Sequence, residues 1–164
     1  MDASEQGFAA IVFVVLLLVN AFFVAAEYAF VRVRSTQLQE LADAGSGRAR
    51  VAVRISGRLD SYISAVQLGM TLASLGLGFV GEPAVAAILE PVFHPLGDLS
   101  PVLFRFLSFA VSFGLVTYVT VVGSELAPKY LALERTLPLA LWTAYPLELF
   151  HRLVHPFIRV INGG

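Results

Sequence analysis

The sequence predicts an all-α membrane protein with three transmembrane helices, the second bent or broken, and a juxtamembrane amphipathic helical belt. Three observations carry this. Charged residues make up only 14% of the 164 residues while 57% are hydrophobic, and the mean hydropathy is +0.78; soluble domains carry about 25% charge. The apolar residues gather in three runs, each near the roughly 20 residues a helix needs to cross the hydrocarbon core. Ten of the eleven Lys and Arg fall on one side of those runs if the segment after the first is cytoplasmic, a strong positive-inside bias.

The first run is uncharged from Gly7 to Ala26 and continuously aliphatic or aromatic from Ile11 to Val19. A cleaved signal peptide is the rival reading, since Val24-Ala25-Ala26 offers small residues. Asp2 and Glu5 stand where such a peptide carries Lys or Arg, and the run is too long. The span is therefore set at 7–31. Residues 32–60 form a cytoplasmic helical loop with Arg32, Arg34, Arg48, Arg50, Arg54 and Arg58, and Gly45-Ser46-Gly47 turns between two short helices. The second span, 61–81, holds Gly69, Gly76, Gly78 and Gly81, and either spans as one helix or enters as a bent or broken one. Irregular backbone at that depth requires surrounding protein or a water-filled cavity.

Glu82-Pro83 reads as a helix start, followed by a short surface helix and a loop to Asp98. The third span, 102–124, is interrupted by Arg105 alone. Residues 125–162 read as juxtamembrane helices. Trp142 and Tyr145 suit headgroup depth. His151, His155 and Arg159 lie opposite Phe150, Val154 and Phe157, as in a helix resting on the inner leaflet. The two histidines are also spaced like metal ligands, but no nearby acidic partner completes such a site, and interfacial packing is the preferred account. The resulting topology puts the N-terminus outside and the C-terminus in the cytoplasm, multi-pass in the cell inner membrane.

Composition narrows function. A net charge of −1 gives no field for nucleic acid, and without cysteine neither disulfides nor thiolate metal sites exist. No phosphate-binding glycine loop, nucleophile elbow or His-Glu-x-x-His pattern occurs. An enzyme is not expected, nor an organic cofactor in this segment.

Three polar groups inside the apolar runs need a reason, because each costs free energy in lipid. Asn20 and Glu27 share a face of the first span; Glu27 either pairs with Arg32 and Arg34 or serves function directly. Ser64, Gln67, Thr71 and Ser74 form one stripe on the second span, continued by Gly78. Such residues glue helices together or line a cavity. Glu125 follows the third run beside Gly123 and Ser124, three residues before Pro128. Proline leaves the Ser124 carbonyl without its helical partner, and broken helix ends of this kind hold cations in transporters. Alternatively Glu125 pairs with Lys129, four residues on. Taken together, hard oxygen ligands from three segments suit Mg²⁺, Ca²⁺ or Na⁺.

Three motifs in order, Asn20-Ala21-Phe22-Phe23-Val24-Ala25-Ala26-Glu27-Tyr28-Ala29, Gln67-Leu68-Gly69-Met70-Thr71-Leu72-Ala73-Ser74-Leu75-Gly76 and Ser124-Glu125-Leu126-Ala127-Pro128-Lys129, resemble the transmembrane domain of the CorC/CNNM family, often labelled hemolysin-like. The resemblance covers essentially the whole chain. It implies a homodimer in the lipid bilayer, with three transmembrane helices per protomer, exporting Mg²⁺ in exchange for Na⁺. It also implies continuation into a cytoplasmic pair of CBS domains that bind ATP, and often a CorC-type domain; these 164 residues contain neither.

The resemblance places the Mg²⁺ site at Glu125. The family's first-span serines match Val24 and Ala26, which bring no ligand oxygen. Its second-span asparagines fall near Met70, Thr71 and Ser74, and the glycine before the glutamate is Ser124. A hydrated Mg²⁺ held by Glu125, Ser74, Thr71 and the Ser124 carbonyl is one expectation. Gln67, Glu27, Asn20, Gly123, Pro128 and Lys129 would then lie along its pathway. An organic cation such as a polyamine is the alternative on the same scaffold, and a non-transporting anchor and dimerisation module for a cytoplasmic sensor is the other.

Overall fold

A computed structural model of the chain describes residues 3–97 and 100–161, all but a few of them helical. Residues 98–99, at the end of the expected loop, and the last residues, 162–164, lie outside that description. The helices are α1 (Ala3–Arg32), α2 (Ser35–Asp43), α3 (Gly47–Gly57), α4 (Leu59–Gly97), α5 (Pro101–Thr120), α6 (Ala127–Glu134) and α7 (Thr136–Ile161). A π-helical turn, Val121–Leu126, joins α5 to α6 without interrupting the helix.

Three stretches are long and apolar enough to span a membrane: Ser4–Arg32, Leu59–Val92 and Pro101–Glu134. Large apolar side chains such as Phe79, Phe106 and Val102 are exposed along them. Such a surface is unfavourable in water and at home in hydrocarbon.

Two expectations are corrected here. The second span is not broken into separate helices, since α4 runs 39 residues as one helix. Glu82-Pro83 accordingly starts no helix, and residues 82–97 form no loop. A proline inside a helix forfeits one backbone bond, and packing on both flanks offsets that loss here: α4 lies along α1 on one side and α5 on the other. Small residues permit the α1 contact. A Cβ at Gly69 would sit 2.6 Å from the Phe23 ring, and one at Gly76 2.9 Å from Leu16. Gly69 and Gly76 thus act through close approach.

The two short helices after the first span are present as expected. Gly45 ends α2 with φ +100, its amide reaching the Ala42 carbonyl while that of Ser46 reaches Leu41, the doubled closure of a glycine-capped helix. The Ser46 hydroxyl then accepts from the Ala49 amide and caps α3.

The apolar core sits at one end of the spans. Phe23, Ala26 and Phe30 of α1 meet Val51 and Ile55 of α3, Val66 of α4, Ala132 of α6 and Ala144 and Leu147 of α7. Helices α3 and α7 thus form a collar around the ends of the spans. Helix α7 buries Ala140, Ala144, Leu147, His151 and Ile158 and exposes Trp142, Leu149, Leu153, Phe157 and Val160 on the opposite side. His151 therefore belongs to the inward face. The polar edge of the helix is carried by Glu148, Arg152 and Arg159, between two apolar stripes, an arrangement that suits a helix lying at an interface.

A candidate cation slot between α4 and α5

The π-helical turn is the local feature that builds the site. Pro128 has no amide hydrogen to offer the Ser124 carbonyl. The backbone widens just before it, with the Ala127 amide bonding to the Val122 carbonyl five residues back. The expected helix break is thus replaced by a one-residue bulge inside a continuous helix, a device common at functional sites. The added residue rotates the side chains around it. Ser124 turns toward α1 and is fully buried, while Glu125 joins Thr117, Thr120 and Val121 on the wall of a cavity.

That cavity, of about 250 Å³, lies between α4 and α5. Ser74, Gly78 and Glu82 line it from α4 at four-residue spacing, facing Thr117, Thr120 and Glu125 across an apolar wall of Leu77, Phe113 and Val116. The Thr120 Oγ1 is buried without a hydrogen-bond partner. Buried polar atoms are nearly always satisfied, so an orphan on a cavity wall is where a ligand or water belongs.

The expected site residues divide into groups. Ser74 and Glu125 meet at the slot. The Ser124 hydroxyl is committed elsewhere: it accepts from Asn20 Nδ2 at 2.9 Å and donates to the Thr120 carbonyl at 2.8 Å. Asn20 is itself fully buried, its Oδ1 unpartnered. Gln67 Nε2 donates to Glu27 Oε1 at 2.9 Å, joining α4 to α1, and the Thr71 hydroxyl donates to the Gln67 carbonyl at 2.8 Å. Gly123 and Pro128 line a separate apolar cavity of about 520 Å³ with Trp142.

Neither expected ion pair forms among the described residues. Glu27 is bound by Gln67 instead of Arg32 or Arg34. Lys129 lies 5.0 Å above the Tyr28 ring, which leaves Glu125 without its i,i+4 partner.

Glu82, Thr117 and Thr120 were missed in the sequence. Glu82 extends the Ser74–Gly78 register by one more turn, a signal hidden by the proline after it. The donor set is hydroxyl and carboxylate oxygen, and no group of three His, Cys, Asp or Glu gathers among the described residues. Such a slot suits a hard cation that keeps part of its water shell.

A second polar cluster holds α7 against the start of α4. Tyr62 donates to Glu148 Oε2, and Arg152 binds Oε1 of the same carboxylate at 2.8 Å. Ser61 Oγ and His151 Nε2 are 2.7 Å apart, and the His151 ring stacks on Tyr62 at 3.9 Å. An acidic residue thus does stand near His151, but Tyr62 and Arg152 occupy it. Burial would raise the Glu148 carboxyl; the hydrogen bonds from Tyr62 and Arg152, with the charges of Arg152 and Arg54, outweigh it and hold it below the ordinary value. Burial lowers His151, helped by His155 and Arg58 and opposed by Glu148.

Comparison with known proteins agrees with this architecture. The family model described as the Cyclin M (CNNM) transmembrane N-terminal domain matches residues 11–163. The UPF0053 protein YhdT of Bacillus subtilis is 48% identical over 92% of this chain and 32% of its own length. The UPF0053 protein YugS of the same organism is 41% identical over 92% of the chain and 35% of its length. The uncharacterized protein MT1889 of Mycobacterium tuberculosis is 37% identical over 93% of the chain and 43% of its length. The chain spans about a third of the length of the Bacillus relatives it matches. With three candidate spans, the π-turn glutamate and a family match over nearly its whole length, this multi-pass membrane chain belongs to the CNNM transmembrane-domain family.

Proposed function

We propose that the chain is the transport domain of a membrane exporter that moves Mg²⁺ outward, coupled to Na⁺ entry, with Glu125 as the central carboxylate. The observation that carries this reading is Glu125 itself, turned by the π-helical bulge onto the wall of a slot it shares with Ser74, Thr117 and Thr120. An ionisable group within a span marks an ion path.

Polar groups are spaced along the spans in support. The Glu27–Gln67 pair lies toward the collar, Ser74 and Glu125 come next, and Glu82 lies about 12 Å beyond Ser74 along α4, two helical turns. Such a series lets a hydrated ion pass from one oxygen cluster to the next. The collar end of the spans, where all the arginines but Arg105 gather, is cytoplasmic in this reading by the positive-inside rule. The functional unit is a homodimer, because the Glu125 side chain is exposed in the single protomer and a second copy would shield the slot from lipid. A cytoplasmic CBS-pair domain would regulate the full-length protein.

Proteoliposomes holding the full-length protein and a Mg²⁺-sensitive dye test this. Wild type carries Mg²⁺ along an opposing Na⁺ gradient, and Glu125→Gln slows it about tenfold or more, the scale of one lost charged contact. Flux in Glu125→Gln equal to wild type refutes the assignment, and flux absent from wild type favours the anchor-and-dimerisation role.

A second reading has its own observation. Glu82 and Glu125 line one slot with an apolar wall between them, a pattern complementary to a diammonium chain. Polyamine efflux that Mg²⁺ fails to inhibit, and that Glu82→Gln abolishes, would favour an organic-cation exporter.

A further inference from the structure

We infer that the groove between α3 and α7 binds the phosphate of an anionic phospholipid headgroup through Arg54 and Arg58. Two adjoining cavities make up this groove. One, of about 410 Å³, is lined by Arg54, Gly57, Arg58, Tyr62 and Glu148. The other, of about 280 Å³, shares Arg54 and Glu148 and adds Tyr145, Leu149 and Arg152.

Charge accounting decides what the groove can take. Glu148 is the carboxylate that lines it, and both its oxygens are occupied, one by Tyr62 and the other by Arg152. Glu148 and Arg152 therefore cancel. Arg54 and Arg58 remain, and among the described residues neither lies within ion-pair distance of a carboxylate. Two guanidinium groups lining one cavity, Arg54 from the last turn of α3 and Arg58 from its C-cap, with a phenol beside them, form a ready site for a tetrahedral oxyanion. Asp60, in the first turn of α4, is absent from the lining of either cavity.

Position selects the source of that phosphate. The groove opens where α4 begins its apolar run, at the level where a bilayer places its headgroups. Leu149 lines it and is 62% exposed, and it continues into the outward stripe of Leu153 and Phe157 on α7. An acyl chain can run along that stripe while its phosphate reaches the arginines. A soluble phosphate would make no use of it.

Native mass spectrometry of the full-length protein, released from mixed phosphatidylglycerol and phosphatidylcholine vesicles into mild detergent, tests the inference. Wild type retains phosphatidylglycerol over phosphatidylcholine. Arg54→Gln and Arg58→Gln each reduce that retention about fivefold, as expected for one basic contact to an anionic membrane lipid. Arg54→Lys keeps part of it. Undiminished retention in the double variant overturns the inference, as does a wild type without lipid preference. Displacement of the retained lipid by inorganic phosphate also overturns it, assigning the groove to a soluble anion. Should a variant unfold, the wild-type lipid preference still decides: it must weaken as salt is raised.

Discussion

Asn20 and Ser124 meet through one buried hydrogen bond, in a place where neither has water as an alternative partner. The bond ties α1 to the residue before Glu125 and so fixes the direction in which the carboxylate leaves the helix. Membrane hydrogen bonds of this kind contribute modestly, about 0.6 kcal/mol and rarely more than about 1.7. A double-mutant cycle with Asn20→Ala and Ser124→Ala, read by reversible unfolding in bicelles, is expected to give a coupling in that range. Zero coupling would mean the two side chains are neighbours without being partners. Asn20 was legible in the sequence because an amide in an apolar run is conspicuous. Its partner was not, since Ser124 lies 104 residues away and only the packing of α1 on the π-turn brings them together.

At the scale of elements, the π-helical turn and the α4–α7 junction each carry a prediction. Pro128→Ala restores an amide that can bond to the Ser124 carbonyl and so favours α-helical geometry over the bulge. Glu125 would then rotate away from Thr117 and Thr120. Mg²⁺ flux is expected to fall about tenfold, while circular dichroism shows unchanged helix content and the unfolding midpoint holds or rises. Full flux in this variant would separate the carboxylate's position from the bulge.

The junction predicts a pH dependence. Held below 6.5 in the folded chain, chiefly by burial, His151 stays neutral there while the unfolded chain takes up a proton first as the pH falls. Its stabilising contribution is therefore complete above about pH 6.5 and is lost as the pH drops through that value toward the lower folded one. Glu148, held below 4.5, loses its contribution in the same direction but only from about pH 4.5 downward. Unfolding midpoints of wild type should decline between about pH 7 and 5.5, with a shallower decline in His151→Gln. Equal slopes would remove His151 from that account. The inward turn of this histidine was not readable from its i,i+4 spacing, because its partners Ser61 and Tyr62 sit on another helix about 90 positions earlier.

For the whole molecule, the arrangement of charge about the spans predicts sidedness. Residues 32–58 and 135–159 carry nearly all the Lys and Arg, while Arg105 stands at the opposite end of α5. The chain contains no cysteine, so single cysteines report without background. In right-side-out membrane vesicles, Asp43→Cys and Glu134→Cys should resist a membrane-impermeant maleimide and Ser100→Cys should react. The reverse pattern would invert the topology and with it the proposed direction of transport.

The sequence alone determined the number of candidate spans, the basic loop with its two short helices, and the place of Glu125 at the end of the third apolar run, just ahead of a proline. Each is written in local statistics: runs near the thickness of hydrocarbon, a glycine turn, a carboxylate ahead of a proline. Tertiary structure decided that α4 continues unbroken through Glu82-Pro83, that the proline widens the helix instead of breaking it, and that Glu82 and two threonines share the slot with Glu125. The physical reason is common to all three. A helix tolerates proline only when neighbouring helices make up the lost contacts, and which side chains share a slot depends on which helices lie side by side; both are properties of the packed chain.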